Sequence, residues 1–391
     1  MKAISVSLRE LVQDTRQFTF DKTQEYEFVE MADVVPGERF VASKALRKPV
    51  GGSRFADGDI LFARITPCLE HGKIAQFRAS TPGGLATGST EFFVFRARKP
   101  SDQNFLFYLL TTPLIRRPAE QSMVGASGRQ RAQLDKILDV TVSVPDEQLR
   151  EILGTKLSLL DERVFRNMER IRILEQTLHS VFGEEFSDLF KTNSRSPALA
   201  SLITVSPRVA RPTGNTFHLC AMEHVNQDSL IVDTTATTSK FSGSKFQNRD
   251  VLLARITPCF ENGKAGIIFN LPPGAVAVGS TEFIVLRENG QFSAEFIYCL
   301  IKSKHFRTFA KGTMTGASGR QRLGGALFET FQVNVPDSKK LQSFNRFAAL
   351  VVKQIYNLHE QCTLLTEVRD ALVREAIESG NTSAIVKEQQ S

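Results

Sequence analysis

The chain contains no tryptophan, four tyrosines and six histidines, and its five cysteines (Cys68, Cys220, Cys259, Cys299 and Cys362) are odd in number and widely spaced. With no Cys-x-x-Cys pair, neither a disulfide framework nor a zinc site is indicated, and reduced thiols are the simplest reading. No run of about 18 apolar residues exists to span a bilayer. The opening MKAISVSLRE lacks the apolar centre of a secretion signal. The chain is therefore expected in the cytoplasm, with no membrane association. There is no Gly-x-x-x-x-Gly-Lys-Ser/Thr loop to cradle nucleotide phosphates, which excludes ATP chemistry of that kind. No Asn-Pro-Pro-Tyr or Asp-Pro-Pro-Tyr string occurs either, which argues against a built-in adenine methyltransferase. No histidine stands at a suggestive spacing from a serine or cysteine nucleophile, and His179 and His359 are expected on helix surfaces.

What is present is ordinary in amount and unusual in arrangement. At 391 residues, with 41% apolar and 23% charged residues, the chain reads as soluble and globular, with two or three domains. The net charge of +7 favours a polyanionic partner modestly. The charge is concentrated in two acid-free blocks. RFVASKALRKPVGGSR (39 to 54) carries Arg39, Lys44, Arg47, Lys48 and Arg54, and KSKHFRTFAKGTMTGASGRQR (302 to 322) carries six Lys or Arg. Such blocks read as exposed loops, either simply solvated or, since there are two in a repeated chain, facing nucleic-acid phosphates.

The repeat is explicit. GDILFARITPCLEHGKIAQF (58 to 77) and RDVLLARITPCFENGKAGII (249 to 268) match at 11 of 20 positions, offset by 191. The offset holds for GSTEFFVFR (88 to 96) with GSTEFIVLR (279 to 287), for the two identical GASGRQR strings (125 to 131, 316 to 322), and for VSVPD with VNVPD. A period this long is a duplicated domain rather than a solenoid of short units. Short apolar runs such as DILFARI, KIAQF and TEFFVFR, broken by PGG and GST, predict strands and turns. Helices are predicted at 104–112 and 294–303.

After Pro145 and Asp146, and again after Pro336 and Asp337, a long helix is predicted, with the aspartate as N-cap. Leu153, Leu157, Leu160, Val164, Asn167, Ile171, Leu174, Leu178 and Val181 recur in steps of four and three, and Val351, Ile355, Leu358, Cys362, Leu365 and Leu372 line one face of the second helix. Each helix should extend about 50 Å. Neither buries its stripe alone, so the simplest packing is an antiparallel coiled coil of one against the other, and the alternative is packing of each on its own globular front. Asn167, opposite Leu358 in the repeat, either fixes register or is a water-satisfied defect. The expected organisation is α+β: globular domains at 1–146 and 191–336, helical regions at 147–190 and 337–380, and a flexible tail at 381–391. The two halves would be related by an approximate two-fold.

Together, the GDILFARITPCLEHGK and GSTEF strings, the GASGRQR turn, the paired helices and the domain order resemble the specificity subunit of a Type I restriction-modification enzyme, over nearly the whole chain. The resemblance implies two α/β target recognition domains, each reading one half of a split sequence in double-stranded DNA. It also implies docking of methyltransferase subunits, two of them by the symmetry, and of a restriction subunit that translocates and cleaves. S-adenosylmethionine would then belong to the methyltransferase, ATP and Mg²⁺ to the restriction partner, and no cofactor to this chain. The departure from internal symmetry is Arg249 at the place of Gly58, leaving open whether that turn has the same backbone in both copies.

Comparison of the copies sorts candidate site residues. Identical positions cannot tell two half-sites apart, so they build scaffold, hold phosphates or hold a partner. In GASGRQR the glycines permit positive φ, and Arg129, Gln130 and Arg131, with Arg320, Gln321 and Arg322, present donors suited to DNA phosphates. The alternative is a glycine turn whose arginines pair with carboxylates such as Glu91 or Glu282. Base reading is expected from divergent loops: Arg47, Lys48 and Arg54 against Ser239, Lys240, Ser244, Lys245 and Gln247, with Arg117 and Gln121, against Thr308 and Gly312, as another variable pair. A metal-dependent nuclease built on Glu70 and Lys73, or Glu261 and Lys264, behind Asp59 or Asp250, is the enzymatic alternative. A turn with a solvated charge pair explains those residues more simply, and no catalytic or metal-binding residue is assigned. A stand-alone bivalent DNA-binding regulator is the other alternative.

Overall fold

The structure is a computed structural model that describes residues 3–13, 18–227, 229–232, 236–269, 271–317 and 319–378. The predicted tail at 381–391 lies outside the described residues. Contacts divide the chain into two compact units, one formed by residues 1–166 with 362–391 and the other by 167–361. This division cuts through both long helices.

The first unit contains strands β1 (Ala3–Ser7), β2 (Tyr26–Val29), β3 (Phe40–Val41), β4 (Ala45–Arg47), β5 (Ser53–Ala56), β6 (Ile60–Ala63), β7 (Ile74–Phe77), β8 (Leu85–Gly88), β9 (Phe92–Phe95) and β10 (Thr141–Pro145). Its short helices are α1 (Leu8–Leu11), α2 (Gln103–Thr111), α3 (Pro113–Gln121) and α4 (Leu134–Leu138), and it shares α5 (Glu147–Glu185) with the second unit. One sheet runs β4-β2-β8-β5 and a second runs β3-β7-β6-β9. Within the DILFARI run, β6 is apolar throughout because it is buried on both faces. Leu61 joins Val29, Phe55 and Phe77 in a core between the sheets. Ile60 and Phe62 point the other way, into a core with Phe105, Leu109 and Ile115 of the helices. Sheet, sheet and helices are thus stacked in layers.

The second unit contains β11 (Ile203–Val205), β12 (Phe217–Cys220), β13 (Thr237–Thr238), β14 (Ser244–Phe246), β15 (Val251–Ala254), β16 (Ala265–Ile267), β17 (Ala277–Gly279), β18 (Phe283–Glu288), α6 (Ala294–Lys302), α7 (Lys304–Gly312) and α8 (Leu327–Thr330). Helix α9 (Ser338–Val373) begins in this unit and ends in the first. Its sheets run β13-β12-β17-β14 and β11-β18-β15-β16. The parallel pair β12–β17 answers the parallel pair β2–β8. Leu252 faces the inter-sheet core, while Val251 and Leu253 face the helical one.

Both predicted N-caps form. The Asp146 carboxylate accepts from the Leu149 N–H at 3.0 Å, and Asp337 accepts from Lys339 and Lys340 at 3.0 and 3.1 Å. The predicted seam residues are buried or half-buried without exception. In the second unit Phe344 of α9 packs on Phe182 and Phe186 of α5, and buried Asn167 donates to Gln361 at 3.3 Å. In the first unit Arg369 of α9 pairs with Asp161 of α5 at 2.7 Å. In the second unit, position rises along one helix as it falls along the other, so the helices run antiparallel there. Their stripe is wider than a two-helix seam: Phe182 also meets Phe296 of α6, with ring centroids 5.1 Å apart, and Ile171, Leu178, Val351 and Ile355 belong to the same core as the second unit's sheet. Both packings weighed from the sequence contribute to that core.

Candidate nucleic-acid interface

The three repeated strings converge on one place in each unit. At the end of β6, the Arg64 N–H donates to the Glu91 carbonyl (2.9 Å), the Arg64 carbonyl accepts from Ala132 (2.8 Å), and Thr66 N–H donates to Gln130 (3.0 Å). The second unit repeats the set: Arg255 to Glu282 (2.9 Å), Leu323 to Arg255 (2.9 Å) and Thr257 to Gln321 (3.0 Å). RITPC is therefore spelled twice because it forms the edge on which the GASGRQR turn is laid. Both copies carry a cis Thr–Pro bond, Thr66–Pro67 and Thr257–Pro258. Gly125 and Gly316, at φ of 125° and 120°, make the turn, in a conformation that other residues rarely adopt.

The side chains of the turn divide into two kinds. Arg131 grips Glu91 through two nitrogens, at 3.0 and 2.6 Å, and Arg322 grips Glu282 at 3.0 and 2.7 Å. Each glutamate also has a second arginine within 4 Å, Arg64 at 3.9 Å and Arg255 at 3.8 Å. The hydrogen bond from Arg322 holds the Glu282 carboxyl below its ordinary range. The pairing of these arginines with Glu91 and Glu282, the alternative to phosphate contact, is realised for one arginine of each turn. Arg129 and Arg320 are exposed, and no acid pairs with either among the described residues. Gln130 and Gln321 are half-buried, with their backbone tied to Thr66 and Thr257. The turn therefore offers Arg129 and Arg320 to a ligand, and holds Arg131 and Arg322 as supports with one edge already occupied.

The basic blocks are less exposed than their composition predicts. Arg39 is 4% exposed and donates to Gln76 (2.7 Å), Tyr108 (2.8 Å) and Asn104 (2.5 Å), so it is a core residue rather than part of a loop surface. Lys302 donates to the Gln227 and Gly263 carbonyls, and Arg307 to those of Phe260 and Glu261. These cations tie backbone together. The remaining exposed cations of the first block are Lys44, Arg47, Lys48 and Arg54.

The base-reading candidates lie in several settings. Arg47, at the end of β4, pairs with Glu30 and covers the Phe28 ring at 4.1 Å. Lys48 is exposed beside it. Arg54, on β5, lies over Phe20 at 5.3 Å, and Lys245, on β14, lies over Phe241 at 5.5 Å. Ser239 and Lys240 are exposed before β14, and Gln247 follows it, half-buried. Arg117 and Gln121 stand on the exposed face of α3. Ser244 leaves the divergent set. Ser53 stands 191 residues before it, and both hydroxyls donate to a carbonyl, of Phe92 at 2.9 Å and Phe283 at 3.0 Å. Missed from the sequence were the rings beneath the cations, Phe20 and Phe241, which a position-by-position comparison at the fixed offset would have exposed.

The nuclease arrangement does not assemble. The Lys73 ammonium donates to the Met31 carbonyl at 2.8 Å and Lys264 to Met222 at 2.9 Å, rather than pairing with Glu70 or Glu261. Asp59 and Asp250 are buried and hydrogen-bonded to Arg96 and Arg287. Among the described residues no three His, Cys, Asp or Glu side chains stand close enough to hold a metal ion. The turn at Gly58 and Arg249 has one backbone in both units. Arg249 adopts φ of 68° against 83° for Gly58, and each N–H bonds back to the paired strand, to Phe77 at 2.9 Å and Ile268 at 2.7 Å. Its guanidinium is held by Glu295 at 3.1 and 3.0 Å. His179 is not on a free helix surface but half-buried against Tyr298, ring centroids 5.5 Å apart, where burial pushes its pKa down to about 4. Among the described residues no helix is long and apolar enough to cross a membrane.

No protein-family model matches the chain. Over 92 residues, 23% of its length, it is 39% identical to the Type I restriction enzyme EcoEI specificity subunit of Escherichia coli. It is 36% identical over 92 residues to the EcoAI specificity subunit of the same organism. In each case the match spans 15% of the relative's length. In fold it is similar to the S subunit of a Type I restriction-modification system from M. genitalium, with a TM-score of 0.59, 13% identity and 96% of each chain covered. The chain thus resembles Type I specificity subunits locally in sequence and along almost its whole length in fold.

Proposed function

We propose that this chain is the non-catalytic DNA-recognition subunit of a Type I restriction-modification complex, reading a two-part target with one globular unit per half-site. The observation that carries this reading is the repeated turn. A support network of Arg64, Glu91 and Arg131, and its copy of Arg255, Glu282 and Arg322, presents one exposed arginine from each unit. A guanidinium without an acid partner suits a phosphate oxygen, which positions the protein without reading sequence. Two such anchors on one chain make the second contact intramolecular, so modest half-site affinities multiply. Divergent cations in each unit then supply the reading. Methyltransferase subunits, two in the symmetric arrangement, would dock on this chain and supply S-adenosylmethionine. A restriction subunit using ATP and Mg²⁺ would complete the assembly. The setting would be cytoplasmic.

The test is adenine-methylation mapping across the genome of a host expressing the chain with its methyltransferase, against the same host without the chain. A motif of two short blocks with a fixed gap, vanishing when the chain is removed, is expected. Unchanged methylation would reject the assignment and favour a bivalent DNA-binding regulator acting without a methyltransferase.

A further inference from the structure

The two units agree in backbone and disagree in one patch. Strands β2 and β12 start 191 residues apart, at Tyr26 and Phe217, and β5 and β14 likewise at Ser53 and Ser244. The pairing agrees as well: Tyr26 faces Arg47 and Phe217 faces Thr238. The offset therefore identifies equivalent places in space, and side chains can be compared directly.

The flanks of the patch are the same in both units. Gly52 and Gly243 take φ of 86° and 79°, and a Cβ there would fall 2.3 and 1.8 Å from the carbonyls of Gly88 and Gly279. The Ser53 and Ser244 hydroxyls tie the next residue to the neighbouring strand. One residue on, Arg54 and Lys245 are carried on the same backbone in both units.

Beneath that cation everything changes. In the first unit Arg54 lies over Phe20, which meets Tyr26 edge-on with centroids 4.7 Å apart. In the second, the place of Phe20 is taken by Arg211, whose guanidinium lies 5.5 Å from Phe217 and 5.7 Å from Phe241. Phe241 stands where the first unit has Val50, a residue 90% exposed, and it packs on Phe217 at 4.9 Å. A cation over a ring is kept, but the ring has moved from the place of Phe20 to that of Val50, a second cation stands where Phe20 was, and the leading cation is Arg in one unit and Lys in the other. Beside the first patch, a cleft lined by Arg47, Glu30 and Phe28 reaches Gly88 to Thr90 of the shared GSTEF string. The second unit has Thr238, Ala221 and Leu219 at the three cluster positions, with no ion pair.

We propose that this aromatic–cation patch, centred on Phe20, Tyr26, Val50 and Arg54 in one unit and on Arg211, Phe217, Phe241 and Lys245 in the other, determines which base pairs each unit selects. The inference rests on the chain being a DNA reader. The Arg54 guanidinium, 5.3 Å from the Phe20 ring centre and with one N–H donated to the Phe18 carbonyl at 3.3 Å, keeps its remaining N–H groups for a base, and such a fork fits the O6 and N7 acceptors of guanine. The Lys245 ammonium is a single-point donor that accepts a wider set of acceptors, and the added Phe241 offers an apolar face of the kind that meets a thymine methyl. The first unit is therefore expected to demand a guanine that the second does not.

Selection from a random duplex library with the full chain in its methyltransferase complex tests this. Wild type is compared with Arg54→Ala, with Lys245→Ala, and with a transplant carrying Phe20→Arg, Tyr26→Phe, Val50→Phe and Arg54→Lys. Arg54→Ala should lose roughly 5- to 150-fold of discrimination at one position of one block, the range of a single good base contact. Lys245→Ala should relax only the other block, and the transplant should shift the first block toward the second. Arg54 is exposed, so its truncation leaves the fold intact even where the transplant does not. Variants that fold and select the wild-type pair of blocks would overturn the patch as the reader while leaving DNA recognition standing. A wild-type complex selecting no sequence would overturn both.

Discussion

Removing Asp161 should unfasten the first unit. Its carboxylate is 4% exposed, accepts from the Tyr108 hydroxyl at 2.5 Å and from Arg369 at 2.7 Å, and Tyr108 in turn accepts from buried Arg39 at 2.8 Å. Asp161→Ala leaves the Arg369 guanidinium, whose side chain is 12% exposed, without its main partner. Breaking a buried pair in this way costs about 3 to 5 kcal/mol. Asp370 stays 2.8 Å from Arg369 but is 47% exposed, so a value of about 3 kcal/mol is expected. The second unit supplies a control, because it solves the same place without charge: Leu230, Cys299, Val352 and Leu178 stand where the first unit has Arg39, Tyr108, Asp161 and Arg369, and all four are fully buried in one apolar core. The double replacement Asp161→Val with Arg369→Leu should therefore recover most of the loss, to within about 1 to 2 kcal/mol of wild type, leaving only the Tyr108 proton without its acceptor. With two units in one chain a single melting temperature is ill-defined, so hydrogen exchange read separately for the two units is the assay. A loss below about 1 kcal/mol in the single variant, or an equal loss in the double, would refute the argument.

Three further outcomes are expected. Arg129→Ala and Arg320→Ala should each weaken binding to all DNA sequences and flatten the dependence of log affinity on log salt by about 0.9, or twice that together; an unchanged slope would assign the turn to folding or to a protein partner. Gly243→Ala should destabilise the second unit by about 3 kcal/mol or more, because its Cβ would lie 1.8 Å from a carbonyl, while Gly319→Ala, at the same φ of 79° with nothing within 4 Å, should cost only about 1 to 2 kcal/mol. Equal losses in urea unfolding would show that φ alone is responsible. His179, with its pKa lowered by burial to about 4, favours the neutral ring in the folded state; the second unit should keep its full stability above about pH 6.5 and lose up to the order of 3 kcal/mol as pH falls from there toward 4. His179→Phe should remove that dependence, and a persisting acid loss of the same size would place it elsewhere.

Much of the fold was legible because the repeat carries its own internal check. Two strings that agree at a fixed offset report the same backbone, so RITPC, GSTEF and GASGRQR mark one duplicated domain, while their meeting on one edge rests on hydrogen bonds that no offset reveals. The long helices were equally open to reading: Asp146 and Asp337 cap as their chemistry requires, and the stripe from Leu153 onward is buried. What the stripe could not reveal is its width. Phe182, Phe186 and Phe344 turn the helix pair into part of the second unit's core, and heptad spacing says nothing about a third partner. Strand order was out of reach for the same reason, since the parallel pairing of β2 with β8 joins residues 59 apart, Glu27 with Ala86 for example.

The site was legible only where local sequence decides the outcome. Arg39 sits in an acid-free basic block, yet it is buried because Gln76, Asn104 and Tyr108, all distant in sequence, offer it oxygen atoms. Counting charges in a window cannot see such partners. Arg249 shows the converse. An arginine at positive φ is costly, but the turn between β14 and β15 is held by its neighbours, including the Asp250 carboxylate that accepts from the Gln247 N–H at 2.7 Å. Two bonds to Glu295 then offset the strain that Gly58 avoids. The scaffold thus tolerates even a glycine-to-arginine exchange without changing its path. A frame with that tolerance separates two demands that a bipartite reader must meet together. Under the proposed function its repeated turns would grip any DNA in the same way, while the ring-and-cation patch, set on β5 or β14 by the same glycine and serine, is free to differ between the two halves.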